Sequence, residues 1–149
     1  MSSNKLLFCI LDADYSVAAR NQHQTINAFC DQRGFSKGFY GTEDKATIKD
    51  GLYLQSKTST LDQKYGGIVV FSIHQYKDCT KFYSLVKTLL KNGKVFCAAS
   101  ENIVLMNERQ FDYFFECATL SAISLESRKI WETRLVDQCD QIHSVIVLT

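Results

Sequence analysis

The chain has 149 residues, of which 46% are hydrophobic and 12% aromatic, enough to build one domain around a sizeable core. Seventeen Lys and Arg against sixteen Asp and Glu leave a formal net charge of +1. This balance excludes a global positive field that would attract nucleic acid or an anionic membrane. Any contact with DNA must therefore come from a local patch of charge.

The cysteine pattern indicates a reduced, intracellular protein. The six cysteines contain no CxxC pair and no metal-ligand spacing, and no secretory segment precedes them. They are Cys9, Cys30, Cys79, Cys97, Cys117 and Cys139. No apolar run approaches the roughly 18 residues that a membrane span needs. We therefore expect a soluble cytoplasmic protein with mostly buried thiols, no metal, no cofactor and no membrane contact.

The first part of the chain predicts an alternation of strands and helices. The continuous apolar run at residues 5–11 is typical of a strand buried on both faces. A helix is expected over about residues 18–32, where apolar residues recur at helical spacing before Gly34. Residues 39–40 predict a short strand, and the polar stretch 42–60 predicts a loop followed by a helix.

The next part continues the alternation. The glycine pair at 66–67 is expected to interrupt the chain before a buried, β-branched strand at residues 68–73. A helix over residues 83–90 closes at Asn92-Gly93, and residues 95–99 predict a further buried strand. The pattern predicts a three-layer α/β fold, with a mostly parallel sheet of four or five strands flanked by helices and joined by right-handed crossovers.

The remainder of the chain is different in character. Residues 107–141 contain no Gly or Pro and keep a helical spacing of apolar residues, which predicts one long helix. The tail 144–149 resembles a strand. We therefore expect a single domain over residues 1–149, with its core in residues 5–100 and no C-terminal helix-turn-helix domain.

Several segments occur in an order that points to a known family. They are the strand that ends at Leu11, the loop 44–52, the strands 68–73 and 95–99, and the helical segment 120–130. In this order they resemble the catalytic domain of serine site-specific recombinases, the resolvases and invertases, over roughly residues 5–138. The resemblance implies a resolvase-like fold whose long helix forms the dimer and crosses the DNA minor groove.

The reactive side chains of that family are replaced in this chain. Aligned without a gap, the resemblance puts Leu11 at an arginine position and Ala13 at the position of the serine that attacks a DNA phosphate. Alanine has no oxygen to attack phosphorus, and leucine cannot neutralise a phosphate. The other active-site positions that the resemblance assigns are Lys49, His74, Gln75, Lys77, Lys129 and Glu132. The resemblance therefore implies a domain that has lost recombinase chemistry.

A displaced nucleophile remains an alternative. Ser16 lies three residues beyond the family position, with Tyr15 and Arg20 nearby, so a shifted loop could offer its hydroxyl to a phosphate. A serine after a strand also commonly caps the following helix by binding a free backbone N–H. The sequence leaves an active strand transferase open beside an inactive domain.

A small-ligand site is a further alternative. Asp12, Asp14, His74 and Lys77 are all expected at carboxyl ends of strands, where α/β folds usually bind ligands. Together these residues could bind phosphate or another small anion. A site of this kind requires that the fold brings them together.

The charge of the predicted long helix bears on whether this helix contacts DNA or forms a dimer. Between residues 120 and 140 it carries three cations and four anions, less basic than expected for a helix that crosses a minor groove. A dimer interface is the alternative, formed by Phe111, Phe114, Phe115, Leu125 and Trp131. Our hypothesis is a catalytically inactive, dimerising module that is associated with DNA or acts in regulation or assembly. Its candidate partners are a second copy, DNA, or another protein such as an active recombinase subunit.

Overall fold

The computed structural model describes residues 5–61 and 63–124 as five strands, four α-helices and one short 3₁₀ helix. The strands are β1 (Leu6–Asp12), β2 (Ser36–Glu43), β3 (Tyr65–Val70), β4 (Val95–Ala98) and β5 (Ile103–Leu105). The helices are α1 (Ala19–Arg33), α2 (Leu52–Thr60), α3 (Phe82–Lys91) and α4 (Glu108–Ser124). The 3₁₀ helix, Ile73–Tyr76, lies between β3 and α3.

The five strands form one sheet in the order β2-β1-β3-β4-β5. Neighbouring strands are parallel from β2 to β4, whereas β5 is antiparallel to β4. The predicted mostly parallel α/β sheet is therefore confirmed. The sequence analysis did not predict β5, because three apolar residues are too short a run to show a period.

Two hydrophobic cores lie on opposite faces of the sheet, because successive strand side chains point in opposite directions. Leu7 and Cys9 of β1 pack on one face with Ile26 of α1. Phe8 and Ile10 pack on the other face with residues of α2, α3 and α4. This arrangement confirms the three-layer prediction.

The limits of β3 correct the prediction. Gly66 and Gly67 lie inside the strand. A Cβ on Gly67 would lie only 2.2 Å from the carbonyl oxygen of Val95 on β4. Gly67 permits the close packing of two backbones, and the glycine pair does not interrupt the chain. The strand ends at Val70, so the predicted extension to residue 73 is wrong.

Helix α4 also corrects part of the sequence analysis. Phe111 and Phe114 are only 1% and 3% exposed, because they pack in the core shared with α3 and the sheet. Both were assigned to a dimer interface, but they are core residues of their own chain. Phe115 is partly exposed. Leu125 and Trp131, the other positions assigned to the interface, lie outside the described residues. So do Lys129 and Glu132 of the implied active site, the rest of the predicted helix and the tail 144–149.

The prediction for the thiols is confirmed for four cysteines. Cys9, Cys30, Cys79 and Cys97 are free and buried. Burial raises the pKa of Cys9 to about 12 and that of Cys30 to about 11, so these thiols stay protonated and unreactive at neutral pH. Among the described helices, none combines the length and the hydropathy that crossing a bilayer requires.

Candidate functional site

The carboxyl ends of β1 and β3 lie side by side in the centre of the sheet. From β1 the chain passes through α1 to β2 on one side, whereas from β3 it passes to β4 on the other. Open α/β sheets bind ligands in the crevice where the strand order reverses in this way. A pocket of about 380 Å³ opens at this point, and we call it the strand-end pocket.

The strand-end pocket brings together most of the site residues that the sequence analysis proposed. Its lining includes Ser16, Asp12 and Asp14 from the β1 side, Lys49 from the turn before α2, and His74, Gln75 and Lys77 from the β3 side. Leu11 is 2% exposed and packs in the core beneath α1, so it takes no part in the site. Ala13 is exposed and is not part of the lining.

The loop after β1 is held by Gln22, a fully buried residue of α1. Its Nε2 donates to the carbonyl oxygens of Asp12, at 2.8 Å, and Val17, at 2.7 Å. Its Oε1 accepts from the backbone N–H of Asp12 at 3.0 Å. The sequence analysis missed Gln22, although it lies four residues before Ile26 on the buried face of the helix, which could have marked it.

The two aspartates after β1 also hold backbone. Asp12 Oδ1 accepts from the N–H of Asp14 at 3.1 Å, and Asp14 Oδ2 accepts from the N–H of Lys45 at 2.7 Å. Burial raises the pKa of Asp12, and the nearby negative charges of Asp14 and Glu43 add to the rise. Through Asp14, the loop after β1 is thus tied to the turn that carries Lys45 and Lys49.

The loop after β3 is held by a second set of buried polar groups. Gln75 Oε1 accepts from the N–H of Ser72 at 2.7 Å, and Ser72 Oγ accepts from the N–H of His74 at 3.1 Å. Glu101, in the turn after β4, accepts from Ser72 Oγ at 2.7 Å and from the N–H of Ile73 at 2.9 Å. These hydrogen bonds hold the 3₁₀ helix to the chain segments that follow β3 and β4.

Gln75 uses only the oxygen of its side-chain amide in hydrogen bonding. The side chain is 94% buried, since only 6% is exposed, and it lines the strand-end pocket. Its Nε2 has no hydrogen-bond partner among residues 5–61 and 63–124. A buried amide donor without a partner is costly, which marks this side of the pocket as incomplete.

Glu101 is a partly buried carboxyl that the sequence analysis did not single out. Burial raises its pKa, while hydrogen bonds from Ser72 and Ile73 and the nearby charge of His74 act in the opposite direction. A charged residue directly after a buried strand was the available signal, and Ser100-Glu101-Asn102 follows the apolar β4.

Another acid, Glu43, ties β2 to α2. Glu43 is fully buried, and its carboxylate accepts from the backbone N–H groups of Tyr53, at 3.2 Å, and Leu54, at 3.0 Å. The first turn of a helix has free N–H groups that favour a carboxylate. Burial and the Glu43 carboxylate together raise the pKa of the Tyr76 phenol well above its ordinary value. The role of Glu43 is therefore structural.

Three lysines give the strand-end pocket its positive groups. Lys45, Lys49 and Lys77 are exposed and line it, and none forms an ion pair with a carboxylate of the described residues. Asp12, Asp14 and Asp78 balance them formally, but Asp12 and Asp14 already accept backbone hydrogen bonds. The lysine ammonium groups are therefore the more available charges for a ligand.

Ser16 has no partner that would activate it. Its hydroxyl makes no hydrogen bond within the described part of the chain, and a serine nucleophile requires an adjacent base. The alternative that Ser16 caps α1 is wrong, because Ala18 is the N-cap residue and no side chain caps this helix end. Ser16 is thus an exposed hydroxyl at the rim of the pocket.

Within the described ranges, no group of three or more His, Cys, Asp or Glu side chains could hold a metal ion. The lining of the strand-end pocket includes lysine ammonium groups and the Ser16 hydroxyl, which suit an anion. Comparisons with family models, curated proteins and solved structures give no match to this chain.

Proposed function

We propose that this protein is a resolvase-like module without recombinase activity that binds phosphate groups of duplex DNA in the strand-end pocket. The observation that carries the proposal is the meeting of Lys45, Lys49 and Lys77 at one crevice of the sheet, which Gln75 also lines. Ammonium and amide groups are donors that bind phosphate oxygens.

The positions of three side chains support the proposed lack of recombinase chemistry. Leu11 is buried beneath α1, and Ala13 carries no hydroxyl. Ser16 has a hydroxyl, but it makes no hydrogen bond to a base among the described residues. Lysines alone can hold a phosphodiester, but they cannot supply the nucleophile that strand transfer requires.

The test is binding of a fluorescein-labelled duplex of random sequence, followed by anisotropy over a salt series. We expect saturable binding that weakens as salt rises, since each phosphate contact releases close to one counterion. Lys77→Ala should weaken binding and lower the salt slope by about one.

The matched control is Lys91→Ala, which removes an exposed lysine at the far end of α3. It should bind the duplex as the unchanged protein does. No binding at low salt, or equal losses for Lys77→Ala and Lys91→Ala, would contradict the proposal.

A small phosphate-bearing ligand is a second candidate for the same pocket. Its volume of about 380 Å³ lies in the range of small-molecule sites, whereas a duplex needs only an open surface. Inorganic pyrophosphate should then raise the melting temperature, and His74→Ala should abolish the rise. If pyrophosphate stabilises the protein and duplex DNA does not bind, the second candidate replaces the first.

The proposed dimer rests on a different surface. Tyr113 and Phe115 of α4 are 51% and 37% exposed, and the Phe115 ring centroid lies 4.7 Å from that of Tyr83 on α3. Exposed aromatic side chains of this kind are common anchors of interfaces. Sedimentation equilibrium should show a dimer that Phe115→Ala weakens; a monomer at all concentrations would contradict it.

A further inference from the structure

Asp12 is the buried acid of the strand-end pocket. It ends β1, which lies between β2 and β3 in the sheet, and only 5% of the residue is exposed. The other two acids of the lining, Asp14 and Asp78, are exposed, so water screens their charges. A ligand inside the pocket should therefore depend on Asp12 more than on the other two acids.

One of the two carboxyl oxygens of Asp12 is unpaired. Its Oδ1 accepts from the N–H of Asp14 at 3.1 Å, but its Oδ2 accepts no hydrogen bond from the described part of the chain. Among the described side chains, the polar atoms that are both fully buried and unpaired are Gln75 Nε2 and Tyr76 Oη. Asp12 Oδ2 is not one of them, so it keeps some contact with solvent, and Asp12 lines the pocket. The strand-end pocket thus offers a ligand one acceptor.

Lysines lie on both sides of this acid. Lys45 and Lys49 belong to the turn that follows β2, whereas Lys77 follows the 3₁₀ helix after β3. Because β1 separates β2 from β3, Asp12 lies between the two groups of cations. A ligand that fits this pocket must therefore accept from ammonium groups and also donate one hydrogen bond.

An internal phosphate of DNA cannot donate that hydrogen bond. It is esterified on both sides, so its free oxygens only accept, and its charge repels a carboxylate. A terminal phosphate is a monoester with a second pKa of about 6, so it readily carries one proton near neutral pH. Its P–O–H group can donate to Asp12 Oδ2 while its other oxygens accept from the lysines.

Access to the pocket favours the same class of ligand. An internal phosphate carries a sugar on each side, whereas a terminal phosphate is free on one side and can enter a pocket of about 380 Å³ end-on. Burial raises the pKa of Asp12, despite the hydrogen bond from Asp14, and nearby carboxylates add to the rise. A carboxyl in this environment is well suited to share a proton with a bound phosphate.

We propose that the strand-end pocket prefers a terminal phosphate of a nucleic acid strand, which donates a hydrogen bond to Asp12, over the internal phosphates of the duplex. The inference rests on the proposed function, since it names which phosphate of the DNA enters the same pocket. Internal phosphates still bind the exposed lysines, but without the hydrogen bond to Asp12. Sulfate has the charge of a phosphate dianion but no proton, so it should bind poorly as well.

The experiment compares two fluorescein-labelled duplexes that differ only in a 5′-phosphate or a 5′-hydroxyl at the unlabelled end. Anisotropy is measured at about pH 6, where roughly half of a terminal phosphate carries the proton. The phosphorylated duplex should bind about ten-fold more tightly, the size expected for one hydrogen bond between charged groups. At equal ionic strength, sodium phosphate should displace it at about ten-fold lower concentration than sodium sulfate, for the same reason.

Asp12→Asn should remove most of both preferences, because the amide replaces the acceptor Oδ2 by a donor. The loop should keep its place, since the amide oxygen can still accept from the N–H of Asp14. The matched control is Asp31→Asn, which makes the same change at an exposed acid of α1 outside the pocket and should keep both preferences. Each preference is a ratio measured on one protein, so a smaller folded fraction does not alter it.

The possible failures separate this inference from the proposed function. Binding of both duplexes with equal affinity, or a preference that survives in Asp12→Asn, would overturn the inference and leave duplex binding intact. Equal displacement by phosphate and sulfate would also overturn it, because charge alone would then select the ligand. If neither duplex binds at low salt, the proposed function fails and this inference fails with it.

Discussion

Two buried glutamines hold the two loops that meet at the strand-end pocket, but they do so differently. Gln22 holds the loop after β1 with three hydrogen bonds to backbone, which use both ends of its amide. Gln75 holds the loop after β3 with its Oε1 alone, and its Nε2 has no partner in the described part of the chain. The two side chains are similarly buried.

The difference in pairing between the two amides is expected to separate a role in folding from a role in ligand binding at one site. A buried amide that is fully paired stabilises the fold, whereas an unpaired donor costs stability unless a ligand accepts from it. Gln22 should therefore matter for folding and little for binding. For Gln75 the reverse is expected.

The largest effect is expected for Gln22→Met, which keeps the volume and removes the amide. The N–H and carbonyl of Asp12 and the carbonyl of Val17 lose their partner in the interior. We expect the free energy of unfolding to fall by about 3 kcal/mol, since each unpaired buried group costs about 1–3 kcal/mol. Urea unfolding followed by circular dichroism measures this change.

Gln24→Met is the matched control on the same helix. Gln24 is exposed, so its substitution should change the free energy of unfolding by no more than about 0.5 kcal/mol. Equal effects of the two substitutions would show that the hydrogen bonds of Gln22 are not what stabilises the loop.

Gln75→Met should have a smaller effect on stability and a larger one on binding. It leaves the N–H of Ser72 unpaired but also removes a buried donor that has no partner among the described residues. These opposing changes should lower the free energy of unfolding by only about 1 kcal/mol. Duplex DNA binding, measured by anisotropy, should weaken about ten-fold, because a hydrogen bond to a charged group is lost.

The comparison would fail if the two glutamines had the opposite effects on stability and binding. If Gln75→Met unfolds the protein as readily as Gln22→Met and leaves anion binding intact, then the Nε2 of Gln75 has no role in the pocket.

Glu101 should make the stability of the protein depend on pH. Its folded-state pKa is raised above the ordinary value of 4.5, so the native state holds its proton to higher pH than the unfolded chain does. Its contribution to stability is therefore fully present below about pH 4.5 and is lost as pH rises through the folded-state pKa.

Glu101→Gln should remove this pH dependence, because the amide does not titrate and its Oε1 can still accept from Ile73. Urea midpoints measured from pH 4 upward should therefore fall less steeply in the variant than in the unchanged protein. Parallel curves would show that Glu101 does not carry the shift.

Most of the sheet could be predicted because its strands are long apolar runs. Residues 7–11 and 95–99 are buried on both faces, so hydropathy alone marks them. The glycines at 66–67 were misinterpreted, because their role depends on how closely Val95 approaches from the next strand. A contact between distant residues leaves no local pattern.

The candidate site could be predicted only in part, for a related reason. His74, Gln75 and Lys77 follow a recognisable buried strand, and the fold rule for strand ends located them. Gln22 and Glu101 act through hydrogen bonds to backbone from other elements, so nothing in their neighbours specifies the partner. Phe111 and Phe114 show the same limit, because an aromatic stripe does not say which surface covers it.

The smallest predicted effect concerns the charge of the pocket rather than its amides. Asp14→Asn removes one negative charge near the lysines but leaves an oxygen to accept from the N–H of Lys45. The loop should therefore keep its place, and duplex binding should strengthen about three-fold, the size expected for an exposed charge. Asp31→Asn removes an exposed aspartate of α1 that does not line the pocket, and it should leave the affinity unchanged. Weaker binding in Asp14→Asn would mean that the carboxylate itself contributes to the ligand site, which would favour a bound cation over a phosphate.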